Sequence, residues 1–166
     1  VRCGVGLGSS SLLILATDVV AHPFNWSDNM SELTRGERNN NPGNIRHGDS
    51  WQGLAAAQTD KSFCTFTDVK FGIRAIAKIM LSYRNQGNVT CAAIISKWAP
   101  PNENNTTAYV QAVAANIDVE PTAVIDVRSY DTMMPLVTAI IKHENGRVQA
   151  TQQQIDEGLA LAGIAA

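Results

Sequence analysis

Apolar residues recur at helical spacing over most of the second half of the chain. Phe71, Ile73, Ile76, Ala77, Met80, Leu81 and Tyr83 share one broad face, which predicts an amphipathic helix. Asp68 or Thr67 can cap its start, and Asn85-Gln86-Gly87-Asn88 ends it. Thr90 opens a shorter helix through Ala93, Ile94 and Ile95 to Trp98, and Pro100-Pro101 breaks the chain after it. Beyond the polar loop Asn102-Glu103-Asn104-Asn105, Thr106 or Thr107 caps a helix carrying Tyr109, Val110 and Val113. Residues 121–127 read as a short connection or a single turn. Asp131 or Ser129 caps the next helix, which bears Met134, Val137, Ile140 and Ile141 and tolerates Pro135 near its first turn. Asn145-Gly146 supplies a left-handed stop just past Glu144. Thr151-Gln152-Gln153-Gln154 has the form of a capping box, opening a last helix through Ile155, Leu159 and Leu161 to Gly163.

Ahead of these helices the pattern changes. Short alternating segments around Trp51-Gln52-Gly53-Leu54 and Phe63-Cys64-Thr65-Phe66, with Gln58-Thr59-Asp60-Lys61 between them, predict a small hairpin. Before it stands Arg38-Asn39-Asn40-Asn41-Pro42-Gly43-Asn44-Ile45-Arg46, a dense turn signal whose amides can bond their own backbone. A structural loop accounts comfortably for one or two of these asparagines. Amides gathered beside a cleft would also suit the amide and hydroxyl groups of a sugar chain. The fold class that emerges is α+β and mostly α: a helical domain over residues 34–166 with one small β-hairpin.

Composition narrows the function. With 45% hydrophobic and 17% charged residues, the domain has material for a core. A net charge of −2 provides no basic field, so nucleic acid is not an expected partner. Cys3, Cys64 and Cys91 have neither disulfide-framework nor metal-ligand spacing and read as free thiols. No glycine-rich phosphate loop follows a strand, and no organic cofactor is expected. Residues 1–33 form a leader: the apolar run from Val5 to Ala21 fits a secretory signal cleaved after Ala21, and equally an upstream extension ahead of a start at Met30. Asp18 interrupts that run, so no stable membrane span is expected.

Glu144 carries the sharpest chemical signal. It falls at a helix C-terminus, where the macrodipole disfavours negative charge. Partial burial there is expected to push a carboxyl pKa upward, toward the state of a general acid at neutral pH. The plain alternative is a solvated glutamate on a fraying helix end. A metal-dependent endopeptidase built from His47, Asp49 and His143 is a rival, but the chain lacks HExxH or comparable ligand spacing. His143, next to Glu144, is expected to point to another face of the helix.

Three motifs carry a family resemblance: the nine residues from Arg38 to Arg46; Trp98-Ala99-Pro100-Pro101 with Glu103-Asn104 and Tyr109; and His143-Glu144-Asn145-Gly146. Over residues 34–163 the chain resembles a group of phage and prophage lysozyme-like proteins, often described as virion structural proteins. It is more distantly similar to lytic transglycosylases and glucosaminidases of the lysozyme superfamily. There a catalytic glutamate ends a helix, a turn-rich hairpin module follows, and a Tyr-Asn-Gly-like loop precedes a tyrosine-bearing helix. Here the helix-ending glutamate comes last, which a circular permutation would reconcile.

The resemblance implies a glycosidase, either a muramidase or a lytic transglycosylase, acting on peptidoglycan glycan strands. Its location would be a phage virion or the bacterial periplasm and cell wall, with other virion proteins as further partners. Glu144 would be the general acid. Glu103 is favoured as a second acid over Glu37, Asp49 and Asp60, because it lies in the cleft-lining loop. Asn40, Asn41, Asn44, Trp98 and Tyr109 would contact substrate, with Trp51 a further candidate for stacking. The alternative is a non-catalytic virion component that keeps the lysozyme-like shape.

Overall fold

In the computed structural model, which describes residues 33–102 and 105–166, six helices follow one another along the chain. They are α1 (Arg35–Arg38), α2 (Val69–Asn85), α3 (Cys91–Trp98), α4 (Thr106–Asn116), α5 (Tyr130–Asn145) and α6 (Gln152–Ala162). Residues 1–32 of the leader, with Cys3 among them, and Glu103 lie outside the described residues. None of the helices described is long and apolar enough to cross a membrane.

Local chemistry sets the helix ends. Asp68 accepts from the Lys70 N–H at 2.9 Å and starts α2, and Thr90 does the same for α3 through the Ala93 N–H. The capping box at Thr151 forms as expected, and Gly163 closes α6 in the left-handed region at φ 91°. Two expectations need correcting. Asn105, not Thr106 or Thr107, caps α4, because its side chain reaches the Ala108 N–H. Pro135 sits in the second turn of α5, beyond the orphan N–H groups of the first, so one internal hydrogen bond of that helix is missing.

α2 is the central element. Ile73, Ile76 and Met80 are fully buried, and they pack with Ile94 and Ile95 of α3, Leu136 and Ile140 of α5, and Leu159 of α6. Each such side chain contributes on the order of 1.5–3 kcal/mol by leaving water. Glycines set how closely the elements approach. A Cβ on Gly158 of α6 would lie 2.7 Å from Ile73 Cγ2 and 2.8 Å from the Lys70 carbonyl, so α6 rests directly on α2. A Cβ on Gly43 would meet Ile76 at 2.7 Å and Trp98 at 3.0 Å. The asparagine-rich loop therefore wedges between α2 and the end of α3.

The expected hairpin is reduced to isolated antiparallel bridges, Arg46 with Phe63 and Leu54 with Phe66. A few backbone bonds flank them, such as Cys64 N–H to the Ile45 carbonyl and Ala55 N–H to the Thr65 carbonyl, both at 2.9 Å, and side chains satisfy groups in between. The Gln58 amide donates to the Ala55 and Thr65 carbonyls and accepts from the Thr65 N–H. Asp60 accepts from the Ser62 and Phe63 N–H groups. Gly53, at φ 80°, turns the chain over the Phe71 ring. Polar side chains that bond nearby backbone compete with regular pairing, which is why the alternation does not extend into strands.

Gly72 provides a test of this packing. A Cβ there would stand 2.4 Å from the Asn40 carbonyl oxygen and 2.7 Å from Pro42 Cδ. Alanine gains about 1 kcal/mol in helix propensity, but the backbone oxygen cannot yield cheaply. Gly72→Ala is expected to destabilise the protein by about 1–3 kcal/mol, measured by urea unfolding; an unchanged or raised midpoint would show that the loop and α2 are not in tight contact.

Candidate functional site

The last turn of α5 sends consecutive side chains in different directions. Gly146, at φ 73°, ends the helix. Just before it, half-buried Glu144 turns toward residues far away in sequence. Its Oε2 accepts from the Asn44 amide at 3.0 Å. Its Oε1 accepts from the Tyr109 hydroxyl at 2.9 Å and from the Trp98 indole N–H at 3.3 Å. The same indole N–H also reaches the Tyr109 oxygen at 3.1 Å. One carboxylate thus joins the asparagine loop, the end of α3 and the start of α4.

Each donor has a local reason to be there. Asn44 lies in the left-handed region at φ 48°, a conformation asparagine tolerates, and its N–H is held by the Asn41 carbonyl. Trp98 is the last residue of α3. The Thr106 hydroxyl donates to the Ala99 carbonyl at 2.6 Å, which brings the start of α4 back against Trp98. Tyr109 is 1% exposed. Burial, then the neighbouring Glu144 charge and its hydrogen bond, hold the phenol pKa far above its usual value. The hydroxyl therefore remains a donor to the carboxylate at any ordinary pH.

The other asparagines serve the loop. Asn41 is fully buried; its amide donates to the Ile45 and Cys64 carbonyls and accepts from the Ile45 N–H. Asn40, at φ 50°, donates to the Phe66 carbonyl, and Asn39 donates to Asp60. Of the three asparagines expected to meet substrate, only Asn44 turns to Glu144. Trp51 is half-buried and packs against the core.

Of the acids considered beside Glu144, Glu103 lies outside the described residues, and Glu37, Asp60 and Asp49 are placed elsewhere. Glu37 forms a two-bond ion pair with Arg147, at 2.8 and 2.9 Å. Asp60 pairs with Arg35 at 2.6 and 2.7 Å, and the Arg35 hydrogen bond holds its carboxyl far below the usual range. Asp49 is exposed on the loop. His47 bonds the Asp60 carbonyl oxygen at 2.9 Å, and among the described residues no three His, Cys, Asp or Glu side chains gather as a metal site would require. Cys64 and Cys91 are buried free thiols.

His143 departs from expectation. Its ring stacks on Tyr109, with centroids 3.6 Å apart and planes at 17°, so it borders the site. It also lines an open depression of about 280 Å³ with Lys142, Gly146, Ala139, Ala112 and Asn116.

Asn145, expected to share the left-handed stop with Gly146, is instead the last helical residue of α5, and Gly146 alone is left-handed. Asn145 is buried, its amide donates to the Pro42 and Ile141 carbonyls at 2.7 and 3.1 Å, and its oxygen accepts from the Thr34 hydroxyl at 2.7 Å. Thr34 and Glu37 form a capping box around α1, a signal present in Thr34-Arg35-Gly36-Glu37. A Cβ on Gly36 would stand 2.6 Å from the Asn145 oxygen, so only glycine admits this contact.

With this geometry established, the chain can be set beside known proteins. Protein P5 of Pseudoalteromonas phage PM2 is 31% identical over 151 residues, covering 88% of this chain and 92% of the relative. The chain belongs to the Protein P5 family. It is therefore a phage-associated protein, whose described part is mostly helical. No protein-family model matches it. Within this P5-family protein, the Glu144 cluster joins polar side chains of the asparagine-rich loop, the end of α3 and the first turn of α4.

Two outcomes follow from the clamp. Asn145→Ala leaves the buried Pro42 carbonyl without its partner and is expected to cost about 1–3 kcal/mol in urea unfolding; a neutral effect would remove Asn145 from the account of how α5 holds the loop. The Arg147 hydrogen bond holds Glu37 below the usual carboxylate range. A depressed acid stabilises the fold fully above its unfolded value of about 4.3 and loses that contribution as pH falls through its folded value. Glu37→Gln is therefore expected to lower the melting temperature at pH 7 and to differ little from the parent at pH 2–3. An equal difference at both pH values would exclude the ion pair as its source.

Proposed function

We propose that the protein is a phage-encoded glycosidase that cleaves peptidoglycan glycan strands, with Glu144 as general acid. The observation that carries this is the meeting of Glu144 with Asn44, Trp98 and Tyr109, residues 100, 46 and 35 positions away. A carboxyl at a helix end, faced by amide and aromatic groups, suits a sugar whose glycosidic oxygen needs a proton.

The two oxygens divide the work. A carboxylate oxygen has two lone-pair sites, and Oε1 already receives both Tyr109 and Trp98. Oε2 receives Asn44 alone, so a proton on Oε2 opposes no second donor. Protonated Glu144 passes that proton to the glycosidic oxygen as the bond to the anomeric carbon breaks through an oxocarbenium-like state. The same carboxylate then takes a proton from the attacking nucleophile. That nucleophile is either water, giving a reducing end, or a hydroxyl of the same sugar, giving an anhydro end. The second route requires one carboxylate only, which accords with the ion pairs that occupy Glu37 and Asp60.

The lysozyme-like reading gains from topology. Thr34, which opens the turn-rich module, bonds Asn145 at the end of the glutamate helix, and Glu37 bonds Arg147 just beyond it. The module thus starts in space where that helix stops, the adjacency expected of a circularly permuted lysozyme-like core. A second reading rests on the relative: similarity to a phage protein supports a virion component, in which Glu144 is a structural staple, more directly than it supports glycan cleavage.

Glu144→Gln distinguishes the two. Its amide would face the Asn44 amide, but Asn44 Oδ1 has no partner, and a turn of that side chain restores a donor–acceptor pair. The variant is expected to keep its melting temperature within a few degrees and to lose dye release from labelled peptidoglycan by about 100-fold or more. Undiminished release removes Glu144 from the mechanism, and no release by the parent protein favours the virion component. Mass spectrometry of the fragments separates anhydro from reducing ends.

A further inference from the structure

We infer that His143 is a positioning residue for the Glu144 carboxyl, acting through the ring of Tyr109; this rests on the glycosidase reading for its kinetic consequence but not for its geometry.

His143 and Glu144 are adjacent in sequence, yet they reach the same phenol from different sides. Glu144 Oε1 holds the Tyr109 hydroxyl at 2.9 Å, while the imidazole lies flat on the ring at 3.6 Å and 17°. The imidazole is on the exposed side, whereas Tyr109 beneath it is 1% exposed. An exposed histidine next to an open depression has no burial that fixes it, so the stack is the contact that orders the imidazole, which in turn covers one face of the phenol. Stacked aromatic pairs are worth about 0.5–1.5 kcal/mol beyond burial, enough to restrain a ring whose hydroxyl must point at one oxygen.

The consequence is directional. The phenol has a hydrogen bond at one end, to Glu144, and a second received from Trp98. Without the imidazole over its face the ring can tilt, and the hydroxyl leaves the line to Oε1. Trp98 then remains as the sole donor on that oxygen, at the longer distance of 3.3 Å. A carboxyl released in this way rotates, and a proton donor misplaced by an ångström loses much of its advantage. Substrate affinity is expected to change less, because the group displaced is the proton donor.

Three variants of the full chain test this. His143→Ala is expected to lower kcat on soluble glycan fragments about 10-fold or more with KM changed less than about twofold. His143→Phe, which restores a flat ring, is expected to recover most of kcat. His143→Leu, which keeps bulk without a flat face, should behave as alanine does and covers the case in which alanine fails to fold. In the Tyr109→Phe background the His143 variants are expected to add no further loss, since both act through one hydroxyl. Additive losses, or equal rates for alanine and phenylalanine, would overturn the inference.

A second readout is independent of activity. With tyrosine labelled at Cζ, hydroxyl exchange of Tyr109 can be followed by NMR and assigned with Tyr109→Phe. Exchange is expected to accelerate several-fold in His143→Ala and His143→Leu, as it does in Glu144→Gln, and to stay slow in His143→Phe. Slow exchange in all the His143 variants would sink the proposal. A parent protein without glycosidase activity would sink only the reading under which Glu144 is an acid, and this exchange measurement would still decide the role of His143.

Discussion

Everything described at the site depends on where α5 stops. Successive residues of a helix are rotated by about 100°, so His143, Glu144 and Asn145 leave the last turn in three directions. His143 lies on Tyr109, Glu144 bonds Asn44, Trp98 and Tyr109, and Asn145 bonds Thr34 and Pro42. Gly146 then turns the chain away at a positive φ. One residue more or fewer before that glycine would rotate all three onto wrong partners. The buried face of α5, through Leu136, Val137, Ile140 and Ile141, fixes the rotation of the helix and hence the aim of its end.

The electrostatics at that end are resolved by contacts rather than by position. A negative side chain in the last turn opposes the macrodipole at a cost of about 0.3–1 kcal/mol. Glu144 receives one hydrogen bond each from Asn44, Tyr109 and Trp98, and these contacts fix where its carboxyl group points. Lys142 in the same turn complements the helix end. Nearby charges are committed to one another: Glu37 with Arg147, and Asp60 with Arg35. Those pairs hold α1 and the cross-linked loop in place and leave Glu144 as the acid set among neutral donors.

The helices were legible because each declares itself locally. Asp68, Thr90 and Thr151 each have a side chain that caps, and each precedes a run of apolar residues at helical spacing. The hairpin was less so. Alternation in Trp51–Leu54 and Phe63–Phe66 signals exposure on two sides, but not whether backbone or side chains will satisfy the polar groups between, and here Gln58 and Asp60 did. Glu144 and Asn44 were both visible as candidates from their turn contexts. Their contact was not, since no local pattern encodes a bond across 100 residues. Asn41 illustrates the converse: an asparagine that suits a sugar equally suits buried carbonyls, and only its full burial decides between them. The capping box at Thr34 stands in the sequence, but α1 is a single turn with no apolar period to mark it as a helix.

Chain order and spatial order separate most clearly at α1. The domain's first helix sits against the end of its fifth, held by the Thr34–Asn145 bond and the Glu37–Arg147 pair. The loop that follows α1 supplies Asn44, and the helix that precedes Arg147 supplies Glu144. A cluster built from both therefore forms only once the two ends of this sequence stretch have docked. Of the bonds that enforce docking, the ion pair lies at an accessible surface, with the Arg147 side chain 44% exposed, where salt and water weaken it. The Asn145 bond to the Pro42 carbonyl is buried and is not so screened. Docking is thus carried mainly by a neutral amide, and the position of Glu144 opposite Asn44 is set by its own sequence neighbour.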